Sequence, residues 1–295
     1  MVAIPIGGKI SAVHEVEIKH KKELGLSHAV HDFLVHLVAA GRASSTIDCY
    51  ERDLRYLVQI LGDISLDKIT SKDLDSAIVM LRYCSPEGLE LLASTMNRRK
   101  SAYRSFFKWS FESGHTSCNP AGSLHMARAS SKRTVPITIQ EIDQLLETIR
   151  ESDDPRARRD EALFAAYAFT GIRRAEALDL RKKDYDPISR LLYLPKTKGE
   201  QHWCPVPSRL AKILKKSILE TNKNGQSTQW APLFPGRHRE QPLSIRQANV
   251  RFDKWKRLAG IRDCLTIHSF RAGFATSLYE TTGDPLLVAR AIGAP

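Results

Sequence analysis

The sequence predicts a mainly α-helical chain in two domains, with one small β-sheet in the second. Three observations carry this. Between His28 and Glu112, apolar residues recur at helical spacing in four successive runs. Only two short runs, Leu191–Leu194 and Trp203–Val206, have strand character, and the polar stretch from Lys196 to His202 joins them as a hairpin. Between the two halves, Ala121 to Pro136 is rich in Ser, Ala and basic residues, the composition of a linker. A chain of 295 residues is long enough for two ordinary domains. The expected boundaries are a leader at 1–25, a first domain at 26–120, a linker at 121–136 and a second domain at 137–295.

The first helix carries Val30, Phe33, Leu34, Leu37 and Val38 at i, i+3, i+4, i+7 and i+8, and Gly41 stops it. The second starts near Ser45, with Asp48 three residues on as a capping pair, and its stripe is Ile47, Tyr50, Leu54, Leu57, Val58 and Leu61. The third starts at Thr70 with Asp73 as its capping partner, and carries Leu74, Ala77, Ile78 and Leu81. The fourth is the longest, about Thr95 to Glu112. Tyr103, Phe106, Phe107 and Ser110 lie toward one side, while Lys100, Arg104 and Lys108 recur every four residues along another. Arg98 and Arg99 thicken that basic patch. Its two readings are a solvated charged face and a face laid against phosphates. Gly114 and Asn119-Pro120 end the helix.

The second domain opens on Thr138-Ile139-Gln140-Glu141, a capping box before Ile142, Leu145 and Leu146. An apolar helix from Ala162 to Phe169 runs into a sharp Thr170-Gly171 turn and another helix. After the hairpin, helices are expected at about Ser208–Leu219, Ser244–Leu258, His268–Glu280 and Pro285–Ile292.

The formal net charge is +12. It is uneven: residues 1–130 carry +2 and the remainder +10. Such an excess points to a polyanionic partner, most often nucleic acid. No apolar run reaches the ~20 residues that span a bilayer, and the N-terminus lacks the pattern of a secretory signal. The five cysteines, Cys49, Cys84, Cys118, Cys204 and Cys264, stand singly with no C-x-x-C. This argues against a disulfide framework or structural zinc and for a reducing cytoplasm. No metal-ligand cluster and no cofactor motif is visible.

The chemistry centres on two arginine motifs nearly a hundred positions apart: Thr170-Gly171-Ile172-Arg173-Arg174-Ala175-Glu176 and His268-Ser269-Phe270-Arg271. Phosphoryl transfer needs charge stabilisation more than elaborate bond-making. An arginine fork holds two oxygens in fixed geometry and never deprotonates, so two arginines from different helices can grip one phosphate. Arg173 follows a Gly turn at a helix start, where free N–H groups and the helix dipole favour an anion. Glu176, one turn on, is placed to orient it. His268 lies one turn from Arg271, able to donate to a phosphate oxygen or move a proton near neutral pH. Alone, R-x-x-E is more often a surface pair and H-x-x-R is weak. The order and context count: T-G-x-R, a basic hairpin, then H-x-x-R followed by Ala272-Gly273-Phe274-Ala275-Thr276.

In these motifs the chain resembles the tyrosine recombinases, the phage-integrase family that includes the Xer-type recombinases, from about Ser27 to its end. Thr46-Ile47-Asp48-Cys49-Tyr50, Asn97-Arg98 leading into Phe106-Phe107, and Asn119-Pro120 carry the likeness in the first domain. The resemblance implies a SAM-like four-helix core-binding domain and a mixed α/β catalytic domain, forming a C-shaped clamp around a half-site of double-stranded DNA. It implies cleavage through a 3′-phosphotyrosine link without metal, ATP or other cofactor, in a tetramer of protomers on DNA, in the cytoplasm at the nucleoid. Arg173 matches the first catalytic arginine, and His268 and Arg271 match the second box. Lys198 best matches the hairpin lysine that protonates the leaving 5′ oxygen, with Lys196 as rival. The DNA-binding expectation for the first domain is Arg98, Arg99, Lys100, Arg104 and Lys108.

Two departures stand out. Ile292-Gly293-Ala294 places alanine where the family has histidine or tryptophan. The family's tyrosine lies roughly thirty residues beyond the second-box arginine. Only 24 residues follow Arg271, and Tyr279 is the one tyrosine among them. At i+8 it is about 12 Å along the helix from Arg271, better suited to packing than attack. The expectation is therefore a phosphate clamp without its nucleophile, inactive for cleavage as it stands. The alternatives are a truncated, non-catalytic protein occupying recombination sites and, behind it, a type IB topoisomerase.

Overall fold

The computed structural model describes residues 24–83, 91–128, 133–194, 202–223 and 228–293. The chain divides into two compact units, residues 1–131 and 132–295. Each has its own apolar core. Most of the expected leader, residues 1–23, lies outside the described residues.

The first unit contains α1 (Leu26–Ala39), α2 (Ser44–Leu61), α3 (Ser71–Tyr83) and α4 (Ala93–Glu112). The stripes predicted from periodicity converge. Leu26, Phe33, Leu54, Leu57, Leu74, Tyr103, Phe106 and Phe107 are all buried, and Phe33 packs edge-on against Phe106 at 5.6 Å. Val38 departs from its stripe and stays exposed, at the end of α1 where Gly41 takes φ +67° and turns the chain away. The α2 start also differs from expectation. Ala43 is its N-cap and no side chain caps it. Ser45 lies inside the first turn, so the Ser45–Asp48 pair does not form a cap. The α3 pair does form: the Thr70 N–H donates to Asp73 Oδ2 at 2.8 Å, and the Asp73 N–H donates to Thr70 Oγ1 at 3.3 Å. Beyond α4, Ala121 and Leu124 bury themselves in this same core. The Asn97 amide clasps the backbone of Ala127 from both sides, at 2.8 Å each. The first part of the expected linker is thus packed on the first unit.

The second unit contains α5 (Ile139–Arg150), α6 (Ala157–Thr170), α7 (Arg174–Asp179), β1 (Tyr185–Asp186), β2 (Leu191–Leu194), β3 (His202–Pro205), α8 (Ser208–Lys223), α9 (Ile245–Leu258), α10 (Ile267–Thr282) and α11 (Pro285–Ala291). The capping box before α5 forms as predicted, Thr138 and Glu141 each accepting the other's backbone N–H. α6 is buried on nearly every side, between α5, α8 and α10. Its Phe164 lies 5.6 Å from Phe252 of α9 and 6.0 Å from Phe270 of α10. That cluster ties the α6 end that leads to Arg173 to the helix that carries His268 and Arg271.

The sheet is antiparallel in the order β1-β2-β3, with Leu192 opposite Cys204 and Leu194 opposite His202. β1 escaped the sequence reading because two residues are too few to show alternation. Leu192, Leu194 and Cys204 face the core, while the Tyr193 and Trp203 rings meet at 5.1 Å, tilted by 54°, on the other face. Lys196 and Lys198 lie in the segment joining β2 to β3, outside the described residues.

Candidate active site

The path from α6 to α7 is set by one turn. Gly171 takes φ +61°, a left-handed conformation that glycine adopts without steric penalty. A Cβ there would meet the Phe274 ring at 2.4 Å. Thr170 secures the approach: its hydroxyl donates to the Ala166 carbonyl at 2.6 Å and accepts from the Ile172 N–H at 3.3 Å. The chain therefore emerges with Arg173 held at the N-cap of α7.

Glu176 fixes Arg173 twice. One carboxylate oxygen accepts from the guanidinium at 2.8 Å and the other from the Arg173 backbone N–H at 3.1 Å. This bears out an orienting part for Glu176 and corrects another expectation. The backbone N–H is already taken, and α7 has only six residues, so little is left for a helix-terminus anion site. Any grip on an anion rests on the side chains.

Arg271 comes from α10, and its Nη1 donates to the Gly171 carbonyl at 2.8 Å, across a hundred residues of sequence. Arg173 and Arg271 thus meet at the same turn. Their remaining arms converge on one further element, the end of α11: Arg173 Nη2 donates to the Gly293 carbonyl and Arg271 Nη2 to the Ile292 carbonyl. Burial lowers the Arg271 pKa, and the neighbouring positive Arg173 lowers it further, against Glu176, which raises it. His268 sits on the same helix, exposed and without a hydrogen bond among the described residues. Its pKa is lowered by desolvation, then by the charges of Arg174 and Arg271. Two guanidinium groups, an open imidazole and one balancing carboxylate make a local surplus of positive charge that an oxyanion could offset.

Arg174 was not singled out from the sequence, although it adjoins Arg173. It donates to Asn249 of α9 at 3.2 Å, and its carbonyl accepts from the Tyr167 hydroxyl at 3.3 Å. Gly273 was likewise seen only as part of a motif. A Cβ there would lie 2.4 Å from the Ile137 carbonyl, and the Ile137 N–H donates to the Ser269 carbonyl at 3.1 Å. The glycine lets the segment before α5 run against α10, one turn below the second box. Tyr279 is half exposed at the far end of α10. Burial pushes the Cys204 thiol up to about 11, so it is no nucleophile at neutral pH.

In the first unit, the five expected DNA-binding residues separate. Arg98 turns inward, donating to the buried Asp53 carboxylate and to Cys49 Sγ at 2.8 Å. Burial opposes its charge, but Asp53 and Cys49 outweigh it and hold the pKa above its ordinary value. Arg99 is 8 % exposed and lies 4.3 Å over the Tyr56 ring. The expectation that Arg99 belongs to an exposed basic face is thereby corrected: the buried Asp53, invisible as a partner in sequence, holds both arginines near it. Lys100 donates to the His125 carbonyl at 2.8 Å. Lys108 is exposed beside Glu112 at 3.7 Å. Arg104 is exposed and has no partner among the described residues.

Comparisons with known proteins agree with this architecture. A model of the phage integrase family matches residues 136–293, and a model of the phage integrase N-terminal SAM-like domain matches residues 30–114. Tyrosine recombinase XerC of Xylella fastidiosa strain M23 is 29% identical over 261 residues, covering 88% of this chain and 85% of the relative. The XerC of Chromobacterium violaceum is 25% identical over 268 residues, covering 91% and 86%. Among solved structures, the Tn1549 transposon integrase in complex with a circular intermediate DNA superposes with a TM-score of 0.74 at 16% identity, covering 92% of this chain and 91% of that one. A lambda integrase dimer bound to a COC' core site superposes with a TM-score of 0.71 at 17% identity, covering 95% and 77%. At that identity the solved structures speak for the fold.

Proposed function

Because the chain belongs to the phage integrase family of tyrosine recombinases, we propose that it is a site-specific DNA recombinase whose Arg173, His268 and Arg271 hold the reacting phosphodiester. One observation carries this: two arginines from distant helices meet at the Gly171 turn, each with a guanidinium arm reaching a shared stretch of carbonyls. Phosphate oxygens carry more charge than those carbonyls and match the planar fork better, so a DNA phosphate would displace them. His268 would donate to a further oxygen. In the family's reaction, a tyrosine hydroxyl attacks phosphorus and gives up its proton, a 3′-phosphotyrosine bond forms and the bond to the 5′ oxygen breaks; no tyrosine among the described residues is assigned that part. Lys198, or its rival Lys196, would protonate that oxygen. The bond energy is kept in the phosphotyrosine, so the exchange needs no ATP.

Both units would contact double-stranded DNA. In the first unit, Arg104 and Lys108 are the exposed contributors on α4, Lys100 joins them by releasing the His125 carbonyl, and Arg98 serves chiefly to order the helix. Assembly on DNA would be tetrameric, and the setting the cytoplasm at the nucleoid. Related solved structures support the DNA contact and the tetramer: they include an integrase complex with DNA and a lambda integrase tetramer bound to a Holliday junction.

The test begins with selection of duplexes bound from a random library, followed by trapping of covalent protein–DNA adducts, on a nicked version of the selected site, with a form of the protein that carries the nucleophilic tyrosine. Arg173→Ala and Arg271→Ala are each expected to cut adduct formation by about 10²–10³, while half-site affinity changes less than tenfold. Adduct formation at an unchanged rate in Arg173→Ala would overturn the assignment.

A further inference from the structure

At the opposite end of α6 from Gly171, a cavity of about 290 Å³ opens between the start of α6, the last turns of α8 and the turn at 235–239. A neighbouring hollow of about 230 Å³ shares Arg156, Arg159 and Arg237 with it and reaches Arg246 on α9. α6 has fourteen residues, so this end lies roughly 20 Å along the helix axis from the turn that carries Arg173.

The arginines here are of two kinds. Arg159 is buried and spoken for, by Asp160 at 2.6 Å and by the Pro235 carbonyl at 2.8 Å. Arg156, Arg237 and Arg246 are exposed, and their side chains have neither ion pair nor hydrogen bond among the described residues. Ser217 is 3 % exposed and lines the first cavity, and its hydroxyl has no hydrogen bond among the described residues either. Glu220 is the one carboxylate on these walls. The N-termini of α6 and α9, each a fourteen-residue helix, add positive potential from two directions. Three uncommitted guanidinium groups around a hollow repel one another, and an anion between them relieves that repulsion. The planar fork favours an oxyanion, and several forks around one hollow favour a phosphate over a singly charged carboxylate. Ser217 lines the first cavity beside Arg156 and Arg237, and its hydroxyl is the neutral donor such a site can use.

We infer that this hollow is a second phosphate site, taking a phosphate ester remote from the one held by Arg173 and Arg271. Where the ester belongs to a DNA strand, the inference rests on the recombinase reading and adds an anchoring contact to it. Where it is a small free phosphate, the site is independent of that reading.

The test uses the full chain with Arg156→Ser and Arg237→Ser combined, and Arg246→Ser as a milder second variant, each checked for an unchanged melting curve. Duplex binding is measured from 50 to 300 mM salt, and inorganic phosphate and pyrophosphate are titrated by calorimetry without DNA. A DNA-strand source predicts a log–log salt slope shallower by about one to two in the double variant, with no heat from the free anions. A free-phosphate source predicts sub-millimolar binding by the wild type, weakened at least tenfold in the variants, with equal salt slopes. Equal slopes and no anion heat in any protein would overturn the inference. If the wild type binds no duplex at all, the recombinase reading fails, and the anion titration alone decides the cavity.

Discussion

Gly171 does two jobs that no other residue can combine. Its positive φ turns the chain from α6 into Arg173, and its missing side chain leaves room for the Phe274 ring. Gly171→Ala is expected to destabilise the second unit by about 2–4 kcal/mol, adding left-handed strain to overpacking. Urea denaturation checks this; a loss below 1 kcal/mol would mean that Phe274 moves aside freely. His268 gives a pH prediction at the same scale. Its folded pKa lies below the 6.5 of an unfolded chain. Near pH 6 the unfolded state therefore binds more protons, and the stability contributed by neutral His268 is lost as pH falls through that window. A bound phosphate acts in the opposite sense, drawing a proton onto the imidazole. Duplex affinity is expected to weaken between pH 5.5 and 7.5, and His268→Gln to flatten that dependence. An identical profile in the variant would remove His268 from the phosphate contact.

At the scale of elements, the start of α5 is fixed by more than its capping box. Arg262 pairs with Glu141 through both carboxylate oxygens, at 2.6 and 2.7 Å, and donates to the Pro136 carbonyl at 2.9 Å. The Arg262 hydrogen bond is the chief reason the Glu141 pKa falls from 4.5 to about 2, against a burial penalty. A depressed carboxylate stabilises the fold above its unfolded value and loses that contribution as pH drops toward its folded one. The acid limb of the stability curve between pH 4.5 and 2 is thus expected to be shallower in Glu141→Gln, read by thermal melts at stepped pH. Thr138→Ala removes the other half of the box and is expected to cost about 1 kcal/mol at pH 7.

For the whole molecule, the governing feature is that the buried apolar residues gather in two separate cores. The second is anchored on Asp160, fully buried on α6, which accepts from Arg159, from Arg251 and, at 2.8 Å, from the Trp255 indole N–H. That network binds α9 to α6, and hence the cradle of the proposed second phosphate site to the helix behind Arg173. Asp160→Ala strands the buried Arg159 without its counter-charge and is expected to cost about 3–5 kcal/mol. Scanning calorimetry is expected to resolve two transitions, with Asp160→Ala lowering only one of them. A single transition that shifts as a whole would mean that the cores unfold together.

Periodicity, capping pairs and the order of the two arginine motifs were legible in the chain because each depends on residues a few positions apart. The stripes of α2, α3 and α4 and the boxes at Thr70 and Thr138 follow from helical geometry alone. The candidate site residues were nameable for the same reason, Arg173 beside its glycine and His268 one turn from Arg271. Their partners were not. Arg98 and Arg99 resembled Arg104 until Asp53, some 45 positions away, drew them inward. Arg271 finds Gly171 across a hundred residues, and the arginines around the α6–α9 hollow come from three separate stretches of sequence. The sequence by itself determined which segments are helical and which residues carry charge. Tertiary structure alone decided which of those charges are neutralised within the fold and which stay free for a ligand, because pairing is set by proximity in space that no local spacing encodes.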